Sequence, residues 1–410
     1  MEKWLILLLD GAADDPIDAL DGKTPLESAS LPTLDLIAMR STVGVTPTIP
    51  DGAPVQPESA LLCIIGYEPF VAYTRRGAWL ASALDVHLDV SNVAMCATLM
   101  STDGENVFKL SNEDVEDEEV EEVVSEISFR LSPRRFELMR ATKLQHLLIW
   151  HDGSSSLYCP SPEDIHSKKL VEALPVGEKD WQLHSLIYDV VELLDSLELN
   201  KRRRDEGKLP INFLLPHDPA HMLSLPSAQV AFGMLFVDAV TTHIPVIGAC
   251  RAAGVFVHHP SWYSVRNWSE GVGERFEKLL SYVLELLSQT DVLIVHIREA
   301  DLAGHAMDHE LKAYVLQEFD ERFIRPLWYE WDKLGEISLL VVCTHKTLCQ
   351  TGKHESGLMP FLIYPPIGRP NAADAFYELC ALEDGLRLDE PTELTKLSLP
   401  LREPIKISKR

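Results

Sequence analysis

Residues 298–310 read READLAGHAMDHE and place Asp301, His305 and His309 at intervals of four residues. Residues four apart on an α-helix lie on the same face, so one carboxylate and two imidazoles would point in the same direction. Side chains of these types are ligands for divalent cations. The spacing therefore raises the hypothesis of a metal site on a helix, with further ligands elsewhere in the chain.

The elements that would position such side chains are short apolar runs near the two ends of the chain. Four of them are WLILLLDG (4–11), DVLIVHI (291–297), ISLLVVCTH (337–345) and LMPFLIYPP (358–366). Continuous apolar strands that alternate with amphipathic helical segments are typical of a parallel sheet buried on both faces. We therefore predict an α/β fold with a doubly wound core built from both ends of the chain.

The middle of the chain has a different pattern. From about residue 92 to residue 235 the apolar runs are shorter, and acidic helical segments, prolines and loops separate them. This pattern indicates an α+β domain inserted into the core. The predicted organisation is a core of residues 1–91 and 236–410 with an inserted domain of residues 92–235.

Potential metal ligands recur where the predicted core strands end, which is the edge at which open parallel sheets bind ligands. They are Asp10, Asp301, His305, His345 and His354. An isolated aspartate at such a place is often a helix cap, and an isolated histidine often lies on the surface. Together the five offer carboxylate and imidazole ligands that suit manganese, zinc or iron(II), and a pair of such ions can clamp a phosphoryl group. His309 has no strand end beside it and is assigned to the surface.

Composition and cysteine usage limit the class of protein. The chain has 410 residues, of which 46% are hydrophobic, and no apolar run reaches transmembrane length. The apolar stretch at the N-terminus is short and meets Asp10, unlike a signal peptide. Seven cysteines are scattered singly, without a CxxC pair, which favours a reducing compartment. We predict a globular cytoplasmic protein.

The charge balance bears on possible partners. Lys and Arg total 37 against 63 acidic residues, giving a formal net charge of −26. Such a field repels nucleic acid and anionic membranes, so neither is an expected partner. The one basic cluster, KRRR (201–204), is interpreted as the solvated C-terminal end of a helix.

Several stretches, in order, resemble one known family. They are LLLDGAADDPIDALDGKTPLESASLPTLDLIA (7–38), IIGYEP (64–69), YTRRGAWLASAL (73–84), VHIREADLAGHAMD (295–308) and HESGLMPFLIY (354–364). Here the chain is similar to archaeal-type cofactor-independent (2,3-bisphosphoglycerate-independent) phosphoglycerate mutases of the alkaline-phosphatase superfamily. The resemblance covers nearly the whole chain but is weak across the inserted domain. It implies an alkaline-phosphatase-like core, a substrate-cap domain and a two-metal site that interconverts 3-phosphoglycerate and 2-phosphoglycerate through a phosphoserine.

The resemblance assigns metal ligands by position. Asp301, His305 and His354 match the ligands of one metal, whereas Asp10 and His345 match two ligands of the other.

The second of these sites departs from the family pattern at Thr344, which precedes His345 where the family carries an aspartate. A neutral hydroxyl in place of a carboxylate removes a negative charge and a strong hard ligand. We therefore predict one well-occupied divalent metal, manganese or zinc, rather than two.

The nucleophile also departs from the pattern. In TIPDGAPVQPESALLCIIGYEP (48–69), the family's serine position falls on Pro57 and the following acid on Glu58. Proline has no nucleophilic side chain. Ser59 lies two residues later, so Ser59 and Glu58 are the remaining candidates for catalysis, and capping of the following helix is the alternative role for Ser59.

The arginines that the family uses to hold phosphoglycerate are partly replaced. Cys96 and Ile247 stand where the pattern has arginine, while Arg251 is retained. Arg76 and the neighbouring Arg75 are either anion binders or members of a structural ion pair. Because an arginine fork supplies both charge and geometry to an anion, the expected ligand is a small phosphorylated or anionic metabolite other than phosphoglycerate.

Two hypotheses about function follow. The first is a divergent metal-dependent enzyme that transfers or hydrolyses a phosphoester without the phosphoserine route. The second is a catalytically inactive relative that keeps the fold as a binding or regulatory module. Retention of ligands for one metal favours the first, and the combined loss of serine, aspartate and arginines favours the second.

Overall fold

The structure is a computed structural model that describes residues 2–131, 134–263, 268–401 and 403–407. Its strands are β1 (Lys3–Leu9), β2 (Thr42–Pro47), β3 (Val93–Thr102), β4 (Asn106–Phe108), β5 (Phe136–Arg140), β6 (Gln145–Trp150), β7 (Leu157–Tyr158), β8 (Lys168–Lys169), β9 (Val176–Gly177), β10 (Phe213–Ala220), β11 (Val237–Val240), β12 (Phe256–His258), β13 (Val292–Ile297), β14 (Ile337–Cys343), β15 (Lys346–Leu348), β16 (Lys353–Glu355), β17 (Leu358–Tyr364) and β18 (Leu386–Arg387).

The α-helices are α1 (Pro25–Ser28), α2 (Pro32–Ala38), α3 (Pro57–Ile64), α4 (Arg76–Ala83), α5 (Asp117–Arg130), α6 (Asp180–Ser196), α7 (Glu198–Asp205), α8 (Ala228–Ala231), α9 (Ile244–Ala252), α10 (Val272–Leu287), α11 (Glu299–His305), α12 (His309–Phe319), α13 (Arg325–Glu330), α14 (Glu378–Glu383) and α15 (Pro391–Ser398). Single turns of 3₁₀-helix cover Asp18–Leu20, Pro69–Tyr73, Leu170–Ala173, Ser261–Tyr263 and Trp331–Lys333, and a π-helical turn covers Asp320–Ile324.

The core unit, residues 1–73 and 224–410, is built on an eight-stranded sheet. Its strand order is β12-β11-β13-β1-β14-β17-β2-β18. The first five strands run parallel, as the sequence predicts. Strand β17 runs antiparallel to both β14 and β2, so the expectation of a wholly parallel sheet is wrong there. A short hairpin, β15–β16, joins β14 to β17 in place of the helix that a parallel crossover requires.

Both faces of the central strand β1 are buried, which explains its continuous apolar sequence. Leu5, Leu7 and Leu9 face a cluster that includes Phe276 of α10 and Phe319 of α12. Ile6 and Leu8, which point to the opposite face, have no solvent exposure either. The predicted α/β class with a doubly wound core is therefore confirmed.

The inserted unit comprises residues 74–223. Strands β5, β6, β3, β4 and β8 form a sheet in that order, with β10 also paired to β3, and every pairing is antiparallel. Helices α5 and α6 cover one face through residues such as Val123 and Leu186. The unit is thus α+β, in agreement with the sequence.

The unit begins earlier and ends earlier than the sequence-based range of 92–235. Helix α4 belongs to it because Gly77 packs directly on strand backbone: a Cβ at Gly77 would overlap the carbonyl of Ala94 and lie 2.6 Å from that of Asp218. The apolar character of α4 resembles that of a core helix, so the sequence pattern does not reveal this boundary.

The basic run KRRR lies in α7, as the sequence predicts, but it is not entirely solvated. Arg203 is buried, and its guanidinium donates to Glu119 and to the carbonyls of Asp114 and Leu209. The run therefore includes a structural ion pair. Among the helices of the described residues, none has the length and apolar character needed to cross a lipid bilayer.

Candidate metal centre

The residues predicted as metal ligands lie around the carboxyl ends of three adjacent parallel strands. Asp10 directly follows β1, and His345 lies two residues beyond β14. Helix α11 begins two residues after β13 and carries Asp301 and His305. His354 is the middle residue of β16 in the hairpin after β14. The sheet edge that the sequence indicates does gather these side chains.

Four of them form one group, here called the Asp301 cluster: Asp301, His305, His345 and His354. The Oδ1 atom of Asp301 lies 3.1 Å from Nε2 of His354 and 3.4 Å from Nε2 of both His305 and His345. The ligand atoms of Asp301, His345 and His354 all lie within 4.8 Å of one another. Asp301 and His345 are buried, whereas the side chain of His305 is 42% exposed, so the cluster opens to solvent on that side.

The backbone decides which ring nitrogens carry protons. The Nδ1 atom of His305 lies 2.8 Å from the carbonyl oxygen of Gly352, and Nδ1 of His354 lies 3.0 Å from that of Val55. Because a carbonyl can only accept, both Nδ1 atoms carry the proton. In the neutral imidazole, Nε2 then has a lone pair. These two Nε2 atoms lie 2.9 Å apart.

Thr344 determines in the same way that Nδ1 of His345 carries the proton. Its hydroxyl lies 2.7 Å from Oδ1 of Asp10 and 2.9 Å from Nδ1 of His345. The single hydroxyl proton goes to the carboxylate, which cannot donate, so the hydroxyl accepts from His345 Nδ1–H. Burial also lowers the pKa of His345, which favours the neutral ring. Its Nε2 lone pair therefore faces Asp301.

Four acceptor atoms thus converge without a donor among them when the rings are neutral. Lone pairs held at about 3 Å repel one another unless a proton or a cation lies between them. Imidazole nitrogens and a carboxylate oxygen are the ligands of zinc, manganese and iron(II), and an outer Nδ1–H held by an oxygen is the usual support of a metal-binding histidine. The residues of the Asp301 cluster therefore fit a divalent metal ion.

Asp10 adjoins this cluster, but other residues engage its carboxylate. Oδ1 accepts from Thr344, and Oδ2 lies 2.6 Å from Nε2 of the buried His296, whose Nδ1 lies 2.9 Å from the hydroxyl of Thr241. Burial acts to raise the pKa of Asp10, but His296 and, less strongly, His345 outweigh it and hold the pKa below its ordinary value. Asp10 therefore stays ionised and is linked to the cluster through Thr344.

A buried lysine joins the loops that carry the site. Lys312 Nζ donates to the carbonyls of Ala13 and Thr347 at 3.0 and 2.8 Å and to Oδ2 of Asp14 at 2.8 Å. Thr347 in turn donates from its hydroxyl to Oδ1 of Asp301 at 2.6 Å. Helix α12 thereby fixes both the loop after β1 and the residue that orients Asp301.

Gly11 allows these loops to approach closely. Its φ angle is +57°, in the left-handed region that favours glycine. A Cβ atom at this position would lie 2.7 Å from Cα of Asp301 and would overlap the hydroxyl of Thr347. A side chain at position 11 would therefore push apart the loop after β1 and helix α11.

The segment that should carry the nucleophile supplies no exposed hydroxyl. Pro57 is the first residue of α3, and Glu58 beside it is buried. Ser59 is completely buried, and its hydroxyl donates to the carbonyl of Ala72 at 3.3 Å. The expectation that Ser59 caps α3 is wrong, because Ser59 lies within the first turn and the N-cap is Gln56.

The arginines predicted to bind substrate lie in different units. Arg76 is the first residue of α4 in the inserted unit, and Arg251 is in the last turn of α9 in the core unit. Their roles stay predictions. Arg75 lies 3.9 Å from Asp218, which is the ion pair that the sequence left as its alternative.

Four residues of the site were not predicted from the sequence: His296, Thr347, Lys312 and Arg298. His296 lies within a buried strand, where a histidine among apolar residues is a usable signal. Thr347 and Lys312 carry no such signal, because their roles depend on the hairpin and helix that pack against the site. The fourth, Arg298, has its Nη2 atom 3.7 Å from Oδ2 of Asp301.

Comparisons with known proteins agree with this architecture. Residues 38–200 match the family described as 2,3-bisphosphoglycerate-independent phosphoglycerate mutase. A probable 2,3-bisphosphoglycerate-independent phosphoglycerate mutase from Geobacter sulfurreducens is 29% identical over 406 residues, covering 95% of this chain and 98% of the relative. A 2,3-bisphosphoglycerate-independent phosphoglycerate mutase from Methanosarcina barkeri is 29% identical over 397 residues, covering 96% and 98%.

One solved structure is similar over almost the same length. The PH0037 protein from Pyrococcus horikoshii has a TM-score of 0.76 and 25% sequence identity, covering 96% of this chain and 95% of that one. The family match over residues 38–200 also lies mostly within the inserted unit, so the expectation that the resemblance is weak there is wrong. The family resemblance inferred from the motifs is confirmed.

Proposed function

We propose that this chain, which is similar to 2,3-bisphosphoglycerate-independent phosphoglycerate mutases, transfers or hydrolyses a phosphoester at a single divalent-metal centre, the Asp301 cluster. The proposed route does not pass through a phosphoserine. The metal is manganese or zinc, and the substrate is a small phosphorylated metabolite. Phosphoglycerate is the first to test, because the relatives are named as its mutases.

The observation that carries the proposal is the convergence of four acceptor atoms on one point. Two of the three imidazoles are fixed from behind by backbone carbonyls, and the third by Thr344. Such prior fixing lowers the cost of assembling the ligands around an ion. A bound divalent cation supplies positive charge that polarises a phosphoryl oxygen.

The chain's own residues have separate roles in this proposal. Asp301 supplies the negative charge of the centre, and the Thr347 hydroxyl holds its Oδ1 atom in place. Arg298 places a second positive charge beside Asp301 Oδ2, where an anionic substrate would benefit from it. Asp10 acts indirectly: it accepts a hydrogen bond from Thr344, and the Thr344 hydroxyl in turn holds the ring of His345.

Two features support the loss of the phosphoserine route. The chain has no serine or threonine between Thr48 and Ser59. The hydroxyls of both flanking residues donate to backbone carbonyls, that of Thr48 to Thr344 and that of Ser59 to Ala72. A nucleophile must instead be exposed and activated by a neighbouring base.

The test uses the full chain, stripped of metal and reloaded with manganese or zinc. Metal content is measured together with phosphoglycerate mutase activity and hydrolysis of p-nitrophenyl phosphate. His305→Ala should lose the metal and any turnover, whereas the matched variant His309→Ala, four residues along the chain, should keep both. Ser59→Ala should keep turnover, and mass spectrometry after incubation with substrate should find no phosphoserine.

Each alternative to the proposed function predicts a different experimental result. Turnover that is lost in Ser59→Ala, with phosphate on Ser59, would overturn the proposed route. Metal binding that depends on His305 but gives no turnover with any phosphoester would favour the inactive relative that serves as a binding or regulatory module. Absence of bound metal in the wild-type protein would overturn the proposal as a whole.

A further inference from the structure

We propose that Cys96, His217 and Asp218 form a second metal site, separate from the Asp301 cluster and contained within the inserted unit, for a thiophilic divalent cation such as Zn²⁺. The thiol, the imidazole and the carboxylate each offer a ligand atom, and these atoms lie within 4.8 Å of one another. Cys96 and His217 are buried, which distinguishes the group from the solvated acidic clusters common on protein surfaces.

The sheet brings these side chains together. In the antiparallel pairing of β3 with β10, Cys96 lies directly opposite His217, so their Cβ atoms are neighbours across the strands. Residues two apart on a strand share a face, and Thr98 therefore lies beside them. The arrangement follows from strand register and needs no movement of a loop.

Contacts on both sides hold the His217 ring. Its Nε2 lies 2.9 Å from the hydroxyl of Thr98, and its Nδ1 lies 3.0 Å from Oδ2 of Asp218. A metal-binding histidine typically has its outer nitrogen held by an oxygen in this way. Two ligand atoms on one zinc ion are about 3.3 to 3.5 Å apart, given bonds of about 2.0–2.2 Å, so Nδ1 and Oδ2 need to separate by only a few tenths of an ångström.

An irregularity in β10 orients the carboxylate of Asp218 toward His217. Asp218 has a φ angle of +52°, and the register with β3 shifts between His217 and Ala220. Such bulges turn a side chain away from the regular alternation of the strand. Here the turn brings Asp218 to the same side as its neighbour His217.

The mixture of ligands selects the type of cation. Thiolate favours zinc, copper(I) and iron over magnesium or calcium, and imidazole and carboxylate are both accepted by zinc. Three protein ligands leave one position of a tetrahedral zinc ion for water or for an anionic oxygen. Two arginines compete with a cation for Asp218: the charge of Arg76 acts on its carboxylate, and Arg75, whose side chain is 55% exposed, lies 3.9 Å from it.

The position of Cys96 in the sequence gives the site a chemical rationale. Cys96 stands where the resemblance to the mutases expects an arginine, so a positive charge has been lost from the inserted unit. A divalent cation bound by the new thiolate restores positive charge at that position. This inference does not depend on turnover at the Asp301 cluster.

The test is cobalt binding to the full-length, metal-stripped protein. A cobalt–thiolate bond produces a charge-transfer absorption that imidazole and carboxylate ligands do not, so the absorption reports this site and is silent about the Asp301 cluster. The wild-type protein should show the absorption, and Zn²⁺ should abolish it by displacement. Cys96→Ser should lose the absorption and one cobalt per chain.

Matched variants separate this result from unfolding and from the other site. Cys63→Ser removes a buried thiol of the core unit, and Asp301→Asn weakens the Asp301 cluster; both should keep the absorption. Asp218→Asn removes the carboxylate charge but introduces a residue that also tolerates the left-handed conformation. This variant should lower the affinity for cobalt at least about tenfold. Absence of the absorption in wild type, or its persistence at full strength in Cys96→Ser, would overturn the proposal.

Discussion

The Nε2 atoms of His305 and His354 lie 2.9 Å apart, with both rings held from behind by backbone carbonyls. Neither ring can turn its proton-bearing nitrogen inward without losing a hydrogen bond. The inward-facing nitrogens are therefore fixed by the protein itself, as the proposed metal centre requires, and the residues that fix them can be tested.

Thr344→Val tests the support of His345. Valine keeps the shape of threonine but removes the hydroxyl that donates to Asp10 and accepts from His345. Loss of such an outer contact lowers metal affinity by about 10- to 100-fold, which competition with a chelator would measure. Thr290→Val, which removes another buried threonine hydroxyl, is the control and should leave affinity unchanged. Equal affinities for the two variants would contradict the role given to Thr344.

Thr344→Asp tests the proposal that the core unit binds one metal rather than two because position 344 lacks a carboxylate. The new side chain would lie beside Asp10, and two buried carboxylates demand a compensating charge. We expect manganese content to rise from one to two ions per chain and the melting temperature without metal to fall. Thr344→Asn, of the same shape but neutral, should still bind one ion. A content of one in both variants would show that other ligands are lacking as well.

The contact between Lys312 and Asp14 is a buried ion pair, whose side chains are 0% and 1% exposed. Lys312→Met would leave the Asp14 carboxylate buried and unpaired, at a cost of about 3–5 kcal/mol in the free energy of unfolding. Urea unfolding of the metal-free protein measures this cost. The control, Lys346→Met, breaks the more exposed pair with Asp15 and should cost about 1 kcal/mol or less. Similar losses for both variants would argue against a special role for Lys312.

His146 links stability of the inserted unit to pH. It is fully buried, both its ring nitrogens lack a hydrogen-bond partner among the described residues, and burial, together with Arg140, lowers its pKa from 6.5 to about 4. Between those two values the unfolded chain binds a proton that the folded chain does not, so this histidine lowers stability as pH falls from about 6.5 to 4.

His146→Leu removes that dependence. As the pH falls from 7.5 to 4, the free energy of unfolding of the variant should rise relative to that of wild type by about 3 kcal/mol. Urea unfolding of both proteins across this pH range measures the difference. Parallel stability curves for the two proteins would show that the His146 ring is accessible to protons in the folded state.

Much of the core could be predicted from sequence because its signals are local. A continuous apolar run predicts a buried strand, and an acid or a histidine just beyond it lies at the ligand-binding edge, as Asp10 and His345 do. The orientation of β17 and the link from Asp10 through Thr344 to His345 could not be predicted. They depend on which strands become neighbours, and sequence spacing does not determine that.

The inserted unit was harder to delimit for a related reason. Helix α4 is as apolar as a core helix, and only its contact with the backbone of β3 assigns it to the unit. Similarly, Arg203 lies in a basic run that the sequence predicts to be exposed to solvent. Only its contact with Glu119 on another helix explains its burial. Contacts between distant segments decided both of these cases.

The position of β1 in the sheet has a consequence for biosynthesis. Its two neighbours are β13 (Val292–Ile297) and β14 (Ile337–Cys343), so β1 is translated well before either of the strands that it pairs with. All strands of the inserted unit have been translated by residue 220. At about 5–20 residues per second, the nascent chain carries β1, which is apolar from Trp4 to Leu9, unpaired for many seconds, and we expect chaperone capture of this protein to concentrate on that strand.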